Sequence, residues 1–329
     1  MFLSVIVIAY NRREYLQRAL SSLFHQTLDR DSYEIILIKN FTDPVIDEIC
    51  TAYSVRSILM EGTIGEYIRR GIAESTGDII TFLEDDDKFT EDKLEKVSTI
   101  YEREKFDFMK NGFIEIDNSD NERTESVQRS TLLTRSLNDS IVLKDDEINP
   151  KTLHFLISRG QDFNLSCMSI SRSVGDQIRE TISKISACPD GTIFFLSMDI
   201  GQRFAFLPLR LTYYRIHESR SRSYASMEMA LKKLENEGLE QSKSLLEIKS
   251  YIRRPSLIRV VEEVISIKNI RVAGFNPRKR DIAFSSLRSG TSLAMSGNAY
   301  AIAWILIFFL SLFPLVSARR VVFSYLKGL

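Results

Sequence analysis

The chain has 329 residues, enough for about two domains, and its 27% charged and 44% hydrophobic residues are ordinary for a folded protein. Lys+Arg and Asp+Glu each total 44, and this zero net charge argues against a protein built mainly to bind nucleic acid. The three cysteines, Cys50, Cys167 and Cys188, form no metal-binding pattern and predict reduced thiols in a cytosolic setting.

Strands and helices are predicted to alternate over about the first ninety residues. Short apolar runs rich in β-branched residues predict strands at 2–9, 33–38, 55–60 and 79–83. Helices are predicted between them, the first beginning at Asn11 as N-cap and the third covering 65–75. This alternation predicts an α/β fold with a doubly wound, mostly parallel sheet. The first strand has no basic segment before it, so we do not expect it to be a signal peptide.

The fourth predicted strand runs directly into four carboxylates, those of Glu84, Asp85, Asp86 and Asp87. Ligands of open α/β sheets bind beyond the carboxyl ends of the strands. Hard divalent cations prefer oxygen ligands and often share them with substrate phosphates. The pattern therefore indicates a metal–diphosphate site. The alternative is a solvated acidic turn that caps the following helix.

Four segments in order carry a resemblance to a known family: residues 4–12, 33–38, 65–73 and 77–87. They resemble the family 2 glycosyltransferases, which are inverting GT-A-fold enzymes that use nucleotide-sugar donors. The resemblance implies that residues 1–100 bind the nucleotide sugar and that 101–225 bind the acceptor.

The resemblance assigns roles to the acidic segment, which is similar to the family's Asp-X-Asp element. It implies that Glu84 lies near the ribose and the metal, that Asp85 takes part in binding the donor, that Asp86 binds Mg²⁺ or Mn²⁺ directly, and that Asp87 supports the metal site. Glu84 stands where the family usually has an aspartate and is one methylene longer.

A nucleoside-binding edge is implied at the ends of the first two strands. The family often has an acid after the second strand that recognises the nucleobase. Here Lys39 stands in its place, and an ammonium cannot accept a hydrogen bond from a base N–H. The sequence therefore does not predict which nucleobase the sugar donor carries. Alternatively, Lys39 is a solvated loop charge. The residues expected to frame the nucleoside are Ala9, Tyr10, Asn11, Arg12, Lys39 and Asn40.

The third helix supplies a candidate diphosphate contact. Arg69 lies one turn beyond Gly65 and resembles the arginine that the family places near the donor diphosphate, where a guanidinium fork fits phosphate oxygens. Arg70 is a weaker candidate for the same role. The alternative for both arginines is an exposed helix charge.

Two further motifs lie in the second half of the chain. Asp190 stands where the family commonly has two adjacent acids near the acceptor, and the resemblance implies that it is the catalytic base; the alternative is a helix N-cap. Residues 213–217 are similar to a Tyr-Arg-X-His element beside the metal, so His217 is expected either as a third metal ligand or as a structural residue. Residues 219–223 are expected to form a loop that closes over the donor phosphates.

The C-terminal third is predicted to be a helical extension, 226–290, followed by a hydrophobic segment, 291–329. Residues 299–316 are almost wholly apolar, and about eighteen apolar residues is the lower limit for a membrane span. From Arg253 onward, twelve basic residues face three acids, as in tails that bind nucleic acid or anionic lipid. We expect a membrane-associated helix, either spanning or lying in the interface, and hence a location at the cytoplasmic face of the cell membrane. A buried helix of a C-terminal bundle is the alternative.

Together these features predict a metal-dependent inverting glycosyltransferase. It would move a sugar, such as a hexose, from a nucleoside-diphosphate sugar to a glycan or lipid-linked acceptor. One alternative is a nucleotidyltransferase, although the glycine-rich loop that those enzymes use after the first strand is missing here. The other alternative is an inactive binding or scaffold subunit. Its basis is three departures from the family pattern: Glu84, Lys39 and the single acid at Asp190.

Overall fold

The computed structural model describes residues 1–123, 137–216, 227–276 and 279–311. The strands are β1 (Leu3–Ala9), β2 (Tyr33–Lys39), β3 (Arg56–Leu59), β4 (Ile79–Glu84), β5 (Lys88–Phe89), β6 (Phe108–Ile116), β7 (Ile141–Lys144), β8 (Met168–Ser171) and β9 (Arg203–Arg215). The helices before residue 201 are α1 (Leu16–Phe24), α2 (Pro44–Ala52), α3 (Ile64–Glu74), α4 (Lys93–Arg103), α5 (Pro150–Ser158), α6 (Arg172–Ile182) and α7 (Pro189–Ile200). Those after it are α8 (Met227–Lys249), α9 (Pro255–Phe275), α10 (Arg280–Met295) and α11 (Ala299–Ser311).

The strands form one mixed sheet in the order β3-β2-β1-β4-β8-β6-β9-β5, with β7 paired to β9. The strands from β3 to β4 are parallel, as predicted. Beyond them β8 is antiparallel to both β4 and β6, and β9 is parallel to β6 but antiparallel to β5 and β7. The prediction of a mostly parallel sheet is therefore wrong for the second half, because an apolar run indicates a strand without giving its direction.

The carboxyl ends of the central strands meet at one edge, as predicted. Ala9 at the end of β1 aligns with Lys39 on β2. Ile8 aligns with Glu84 on β4, on the other side of β1. The loops that follow β1, β2 and β4 are thereby brought together, and this alignment places the candidate site.

Alternate residues of each buried strand feed two hydrophobic cores on opposite faces of the sheet. Ile6 and Ile8 of β1 pack on the face covered by α3, α6, α7 and the C-terminal helices. Val5 and Val7 pack on the other face, under α1, α2 and α4. Burial on both faces explains why these strands are mostly apolar and do not alternate between apolar and polar residues.

Two local predictions are wrong. Asn11 has a φ of +56°, and α1 begins later, with Tyr15 in the N-cap position. Hydrophobic alternation over residues 163–170 predicts a strand there, but the observed strand is shorter, because a 3₁₀ turn at Leu165–Cys167 precedes β8. In both places a tight turn at the sheet edge replaces regular structure.

The last described helix, α11, packs into a bundle of C-terminal helices. Trp304 and Phe308 on this helix are 1% and 0% exposed. In the described parts of the chain, we find no helix with the length and apolar character that crossing a membrane requires. The described part of the predicted apolar segment thus agrees with the bundle alternative, whereas residues 312–329 lie outside the described residues.

Candidate active site

The acidic segment after β4 is buried. Asp85, Asp86 and Asp87 are 2%, 0% and 0% exposed, so the alternative of a solvated acidic turn is wrong. The backbone N–H of Asp85 donates to the carbonyl of Ile8 at the end of β1, at 3.1 Å. The backbone N–H of Glu84 donates to Ser166 Oγ at 3.0 Å. Burying ionised carboxylates is costly unless they are paired, so their partners decide what the site can do.

Arg12 supplies the charge that balances two of these carboxylates. Its Nη1 lies 2.7 Å from Asp86 Oδ2, and its Nε donates to Asp85 Oδ1 at 3.0 Å. Burial raises the pKa of Asp85 to about 7, and the Arg12 guanidinium opposes that shift. Asp85 Oδ2 is buried and finds no hydrogen-bond partner within the described residues. An orphaned carboxylate oxygen in an acidic cluster is a feature that a cation would satisfy.

Arg215 fixes the acidic segment from the opposite side. This side chain is fully buried: its backbone N–H donates to Asp87 Oδ1 at 3.0 Å, and its Nε donates to the carbonyl of Asp86 at 2.9 Å. The same guanidinium donates to the carbonyl of Asp117, pairs with Asp120 and lies 4.4 Å from the centre of the Tyr15 ring. Arg215 therefore joins the end of β9, the turn after β6 and the acidic segment into one rigid unit.

The ends of β1 and β2 are joined by a reciprocal pair of asparagines. Asn40 Oδ1 accepts from the backbone N–H of Asn11 at 2.9 Å, and Asn40 Nδ2 donates to Asn11 Oδ1 at 2.7 Å. Tyr10 is 49% exposed, and its ring meets that of Tyr67 edge-on at 5.7 Å. Three of the residues predicted to frame the nucleoside are thus adjacent at one edge.

Lys39 faces away from solvent. It is 2% exposed, and its Nζ lies 2.6 Å from Asp47 Oδ1 and donates to the carbonyl of Phe41 at 3.0 Å. The interpretation of Lys39 as a solvated loop charge is therefore wrong, because the ammonium ties β2 to the first turn of α2. The ammonium has a third N–H donor, but its burial keeps that donor away from a nucleobase at the surface.

On α3, two candidate residues have structural partners. Gly65 is buried against the end of α6, where an added Cβ would lie 2.0 Å from the carbonyl oxygen of Ile182. Close packing of two helices accounts for this glycine. Arg70 is exposed and pairs with Glu74 at 2.8 Å, as its alternative interpretation predicts, whereas Arg69 is partly buried.

Asp190 lies in the first turn of α7 and is oriented by two backbone groups. Its Oδ1 accepts from the N–H of Gly191 at 2.9 Å, and its Oδ2 accepts from the N–H of Asn164 at 3.1 Å. The N-cap position belongs to Cys188, whose φ is +58°, so the N-cap alternative for Asp190 is wrong. Each carboxylate oxygen accepts one bond in this arrangement and retains a lone pair for another donor.

The oxygen atoms around Asp85 and Asp86 show whether this site suits a divalent ion. Their carboxylates and the orphaned Asp85 Oδ2 suit a hard cation. Within the described ranges, however, no group of three or more His, Cys, Asp or Glu residues is arranged to hold a metal. The residues fit an ion that takes its other ligands from the substrate or from water, as Mg²⁺ commonly does. The third predicted ligand, His217, and the loop at 219–223 lie outside the described residues.

Sequence reasoning did not anticipate several of these relationships. It placed Arg12 beside the nucleoside rather than on the carboxylates, and it gave no role to Arg215 although the Tyr-Arg-X-His motif contains it. It also missed Lys93, which is fully buried and whose Nζ donates to the Ser166 carbonyl and to Thr212 Oγ1 at 2.5 and 3.0 Å. A lysine inside an otherwise apolar helix face was the available signal for Lys93.

Solved structures share this architecture. The chain superposes on S. aureus TarS in complex with UDP-GlcNAc with a TM-score of 0.55 and 12% identity, covering 91% of this chain and 93% of TarS. It matches a mannosyltransferase from Pyrobaculum calidifontis in complex with GDP-Man and Mn²⁺ with a TM-score of 0.55 and 11% identity, covering 99% and 85%. At such identities the likeness establishes the GT-A glycosyltransferase fold alone.

Sequence comparison gives the family. Residues 4–173, more than half of the chain, match the family described as Glycosyl transferase family 2, and the protein belongs to that family. It is 36% identical over 107 residues to glycosyltransferase AglE of Haloferax volcanii, covering 30% of this chain and 35% of AglE. It is 31% identical over 102 residues to the uncharacterized glycosyltransferase YwdF of Bacillus subtilis, covering 30% and 37%. The matched stretch spans about a third of the length of each of these relatives.

Proposed function

We propose that the protein is an inverting glycosyltransferase that transfers a sugar from a nucleoside-diphosphate sugar to a hydroxyl group. The observation that carries the proposal is the buried acidic segment at the carboxyl edge of the sheet, beside the Asn11–Asn40 pair. Membership of the family and a fold shared with sugar-nucleotide complexes support the same conclusion.

The donor nucleoside is proposed to lie across the ends of β1 and β2. Asn11 and Asn40 present amide groups there, and Tyr10 offers an exposed aromatic ring. Lys39 would act through its bond to Asp47, which shapes the loop after β2. The neighbouring structures are complexes with UDP-GlcNAc and GDP-Man, so uracil and guanine are the bases to test first.

The diphosphate is proposed to bind beside Asp85 and Asp86. A bound Mg²⁺ or Mn²⁺ held by these residues would supply charge stabilisation for the departing nucleoside diphosphate. Arg12 and Arg215 contribute fixed positive charge to the same segment, and Arg215 keeps the segment in place.

Asp190 is proposed as the general base. The acceptor oxygen forms a bond to the anomeric carbon while the bond from that carbon to the diphosphate oxygen breaks, and attack from the opposite face inverts the configuration. Asp190 takes the acceptor proton, and a positioned base contributes about 10²- to 10⁴-fold to such a transfer. The N–H groups of Gly191 and Asn164 hold the carboxylate in one orientation.

We further propose that the enzyme works at the cytoplasmic face of the membrane, on a glycan or lipid-linked acceptor. Ile302, Leu306 and Phe309 of α11 are 41%, 58% and 43% exposed and share one helix face by their spacing. The excess of basic residues after Arg253 suits an anionic lipid surface.

Two substitutions test the proposed function. Asp86→Asn should weaken the binding of UDP or GDP in the presence of Mn²⁺, measured by calorimetry. Asp190→Asn should retain that binding and lose at least about 100-fold in the rate of sugar transfer. Asp176→Asn, on the exposed side of α6, is the matched control. Full transfer activity in both site variants would falsify the assignment.

A further inference from the structure

Three aromatic side chains from separate parts of the chain form a cluster near Asp190. The ring centroids of Phe113 and Phe163 are 6.2 Å apart, and each of these rings lies 5.3 Å from Tyr214. All three pairs meet edge-on, and all three residues are partly buried, so each keeps some surface open to solvent. Lys110 Nζ lies 5.9 Å from the centre of the Phe113 ring.

The aromatic cluster, Phe113, Phe163 and Tyr214, connects the two halves of the proposed site. Tyr214 immediately precedes Arg215, whose backbone N–H donates to Asp87. Phe163 immediately precedes Asn164, whose backbone N–H donates to Asp190. One end of the cluster therefore adjoins the acidic segment, and the other adjoins the proposed base. An acceptor must place its hydroxyl between these two groups.

Asn164 adds an independent sign of a ligand. It is 2% exposed and has a φ of +70° and a ψ of 99°, a strained conformation for a residue other than glycine. Its Oδ1 accepts from the N–H of Ser166 at 2.9 Å, and this bond fixes which side of the amide is oxygen. Its Nδ2 is buried and finds no partner within the described residues. A hydroxyl group of a ligand could accept a hydrogen bond from this Nδ2.

A second carboxyl group accompanies Asp190 at this place. Asp162 precedes Phe163, and burial, followed by the charge of Asp190, raises the pKa of Asp162 to about 6. The charges of Asp162 and Asp190 also act on buried Lys110, whose pKa is lowered by burial. Two carboxyl groups and the Asn164 amide therefore accompany the aromatic cluster and could bond hydroxyl groups of a ligand.

We infer that the aromatic cluster binds the sugar ring of the acceptor, with Asn164 donating to one of its hydroxyl groups. The C–H groups on one face of a pyranose carry partial positive charge and suit the negative face of an aromatic ring. The acceptor is therefore a saccharide whose terminal ring is recognised, and a lipid alcohol or lipid phosphate that carries no sugar is not an acceptor. This inference rests on the proposed function and names the acceptor class for the same site.

The experiment separates acceptor binding from donor binding. Phe163→Leu and Tyr214→Leu remove the ring faces and keep the apolar bulk. Phe155→Leu, at an aromatic that is 44% exposed on α5, is the control. Mn²⁺-dependent UDP or GDP binding and hydrolysis of the donor by water are measured first. Transfer is then measured to a panel of p-nitrophenyl glycosides and to a simple polyprenyl phosphate.

Each site variant should raise the acceptor KM at least about fivefold, as expected for loss of an aromatic contact, with donor binding and hydrolysis within twofold of the unaltered protein. Asn164→Gly should also raise the acceptor KM while keeping the melting temperature, because glycine accepts the positive φ without strain. Unchanged acceptor KM values, or equal transfer to the polyprenyl phosphate, would overturn the inference and leave the proposed function intact. Failure of the unaltered protein to bind any donor would overturn both.

Discussion

Arg12 and Asp86 connect the loop after β1 to the loop after β4, with Arg12 Nη1 2.7 Å from Asp86 Oδ2. The same guanidinium bonds Asp85, so one cation balances two buried carboxylates. Any divalent ion that binds these carboxylates must share them with Arg12 or displace it. Arg12 is thus both a structural partner of the acidic segment and a competitor for its oxygens.

Arg12→Gln should destabilise the protein and make its stability depend on a divalent ion. Breaking a buried ion pair by removing one partner costs about 3 kcal/mol, because the other partner is left uncompensated. Added Mn²⁺ should then raise the melting temperature of the variant more than that of the unaltered protein, because the ion stabilises by binding the folded state. Thermal denaturation with EDTA and with Mn²⁺ measures both effects.

Arg13→Gln is the control, since Arg13 is exposed and its guanidinium packs over the ring of Phe41. It should change neither the stability in EDTA nor the response to Mn²⁺. An Arg12 variant that behaves like the Arg13 variant would show that the two carboxylates are not balanced by Arg12.

Arg215→Lys should impair sugar transfer by about 100-fold with little change in fold. The guanidinium bonds the acidic segment and the turn after β6 at once, and a single ammonium cannot reproduce that fork. A small displacement of the acidic segment is enough for such a loss. Steady-state kinetics should show the effect. Arg210→Lys, on an exposed part of the same strand, should leave the rate of sugar transfer unchanged. Equal activity of the two variants would argue against a positioning role for Arg215.

Lys93→Met should alter how stability depends on pH. Burial lowers the pKa of Lys93 from 10.5 to about 7, so between these values the unfolded chain holds a proton that the folded chain does not. The unfolded state then binds more protons, and the free energy of unfolding rises with pH across this window. The unaltered protein should gain about 1.5 kcal/mol relative to Lys93→Met between pH 7 and 8.5.

Urea denaturation at the two pH values measures this difference. The two acceptors that lose Lys93 in this variant keep another partner. The Ser166 carbonyl accepts from Thr212 Oγ1 at 3.1 Å, and Thr212 Oγ1 accepts from Asn111 Nδ2 at 3.0 Å. Lys96→Met, at a lysine on the same helix with 45% of its side chain exposed, should show no such slope. Parallel pH profiles for all three proteins would mean that folded Lys93 keeps its proton over this pH range and that burial does not lower its pKa.

Gly65→Ala should destabilise the protein by at least about 2 kcal/mol through overpacking. The added methyl would lie 2.0 Å from the carbonyl oxygen of Ile182, the last residue of α6, and 2.8 Å from that of Ile185 in the turn after it. Ala73→Gly, at an exposed position of the same helix, should cost only about 1 kcal/mol by helix propensity. Chemical denaturation compares the two. A neutral Gly65→Ala would show that α3 and α6 can separate at this point.

The parallel half of the sheet and the place of the site follow from the sequence. Apolar runs of strand length alternate with helical patterns, and the last run ends in carboxylates, so the site must lie at the carboxyl edge of β1, β2 and β4. Family resemblance in the first 95 or so residues then predicted the class of protein, and the family match confirms it. These features are local, and local patterns are what a single sequence displays directly.

Only the tertiary structure decided which distant side chains contact one another. Arg12 and Asp86 are 74 positions apart in the sequence, and Phe113, Phe163 and Tyr214 come from three separate segments. No sequence spacing therefore predicts either set of contacts. The directions of β8 and β9 were equally hidden, because burial on both faces gives the same apolar pattern to parallel and antiparallel strands. Composition determines that a segment is buried, whereas its partner depends on how the sheet brings distant loops to one edge.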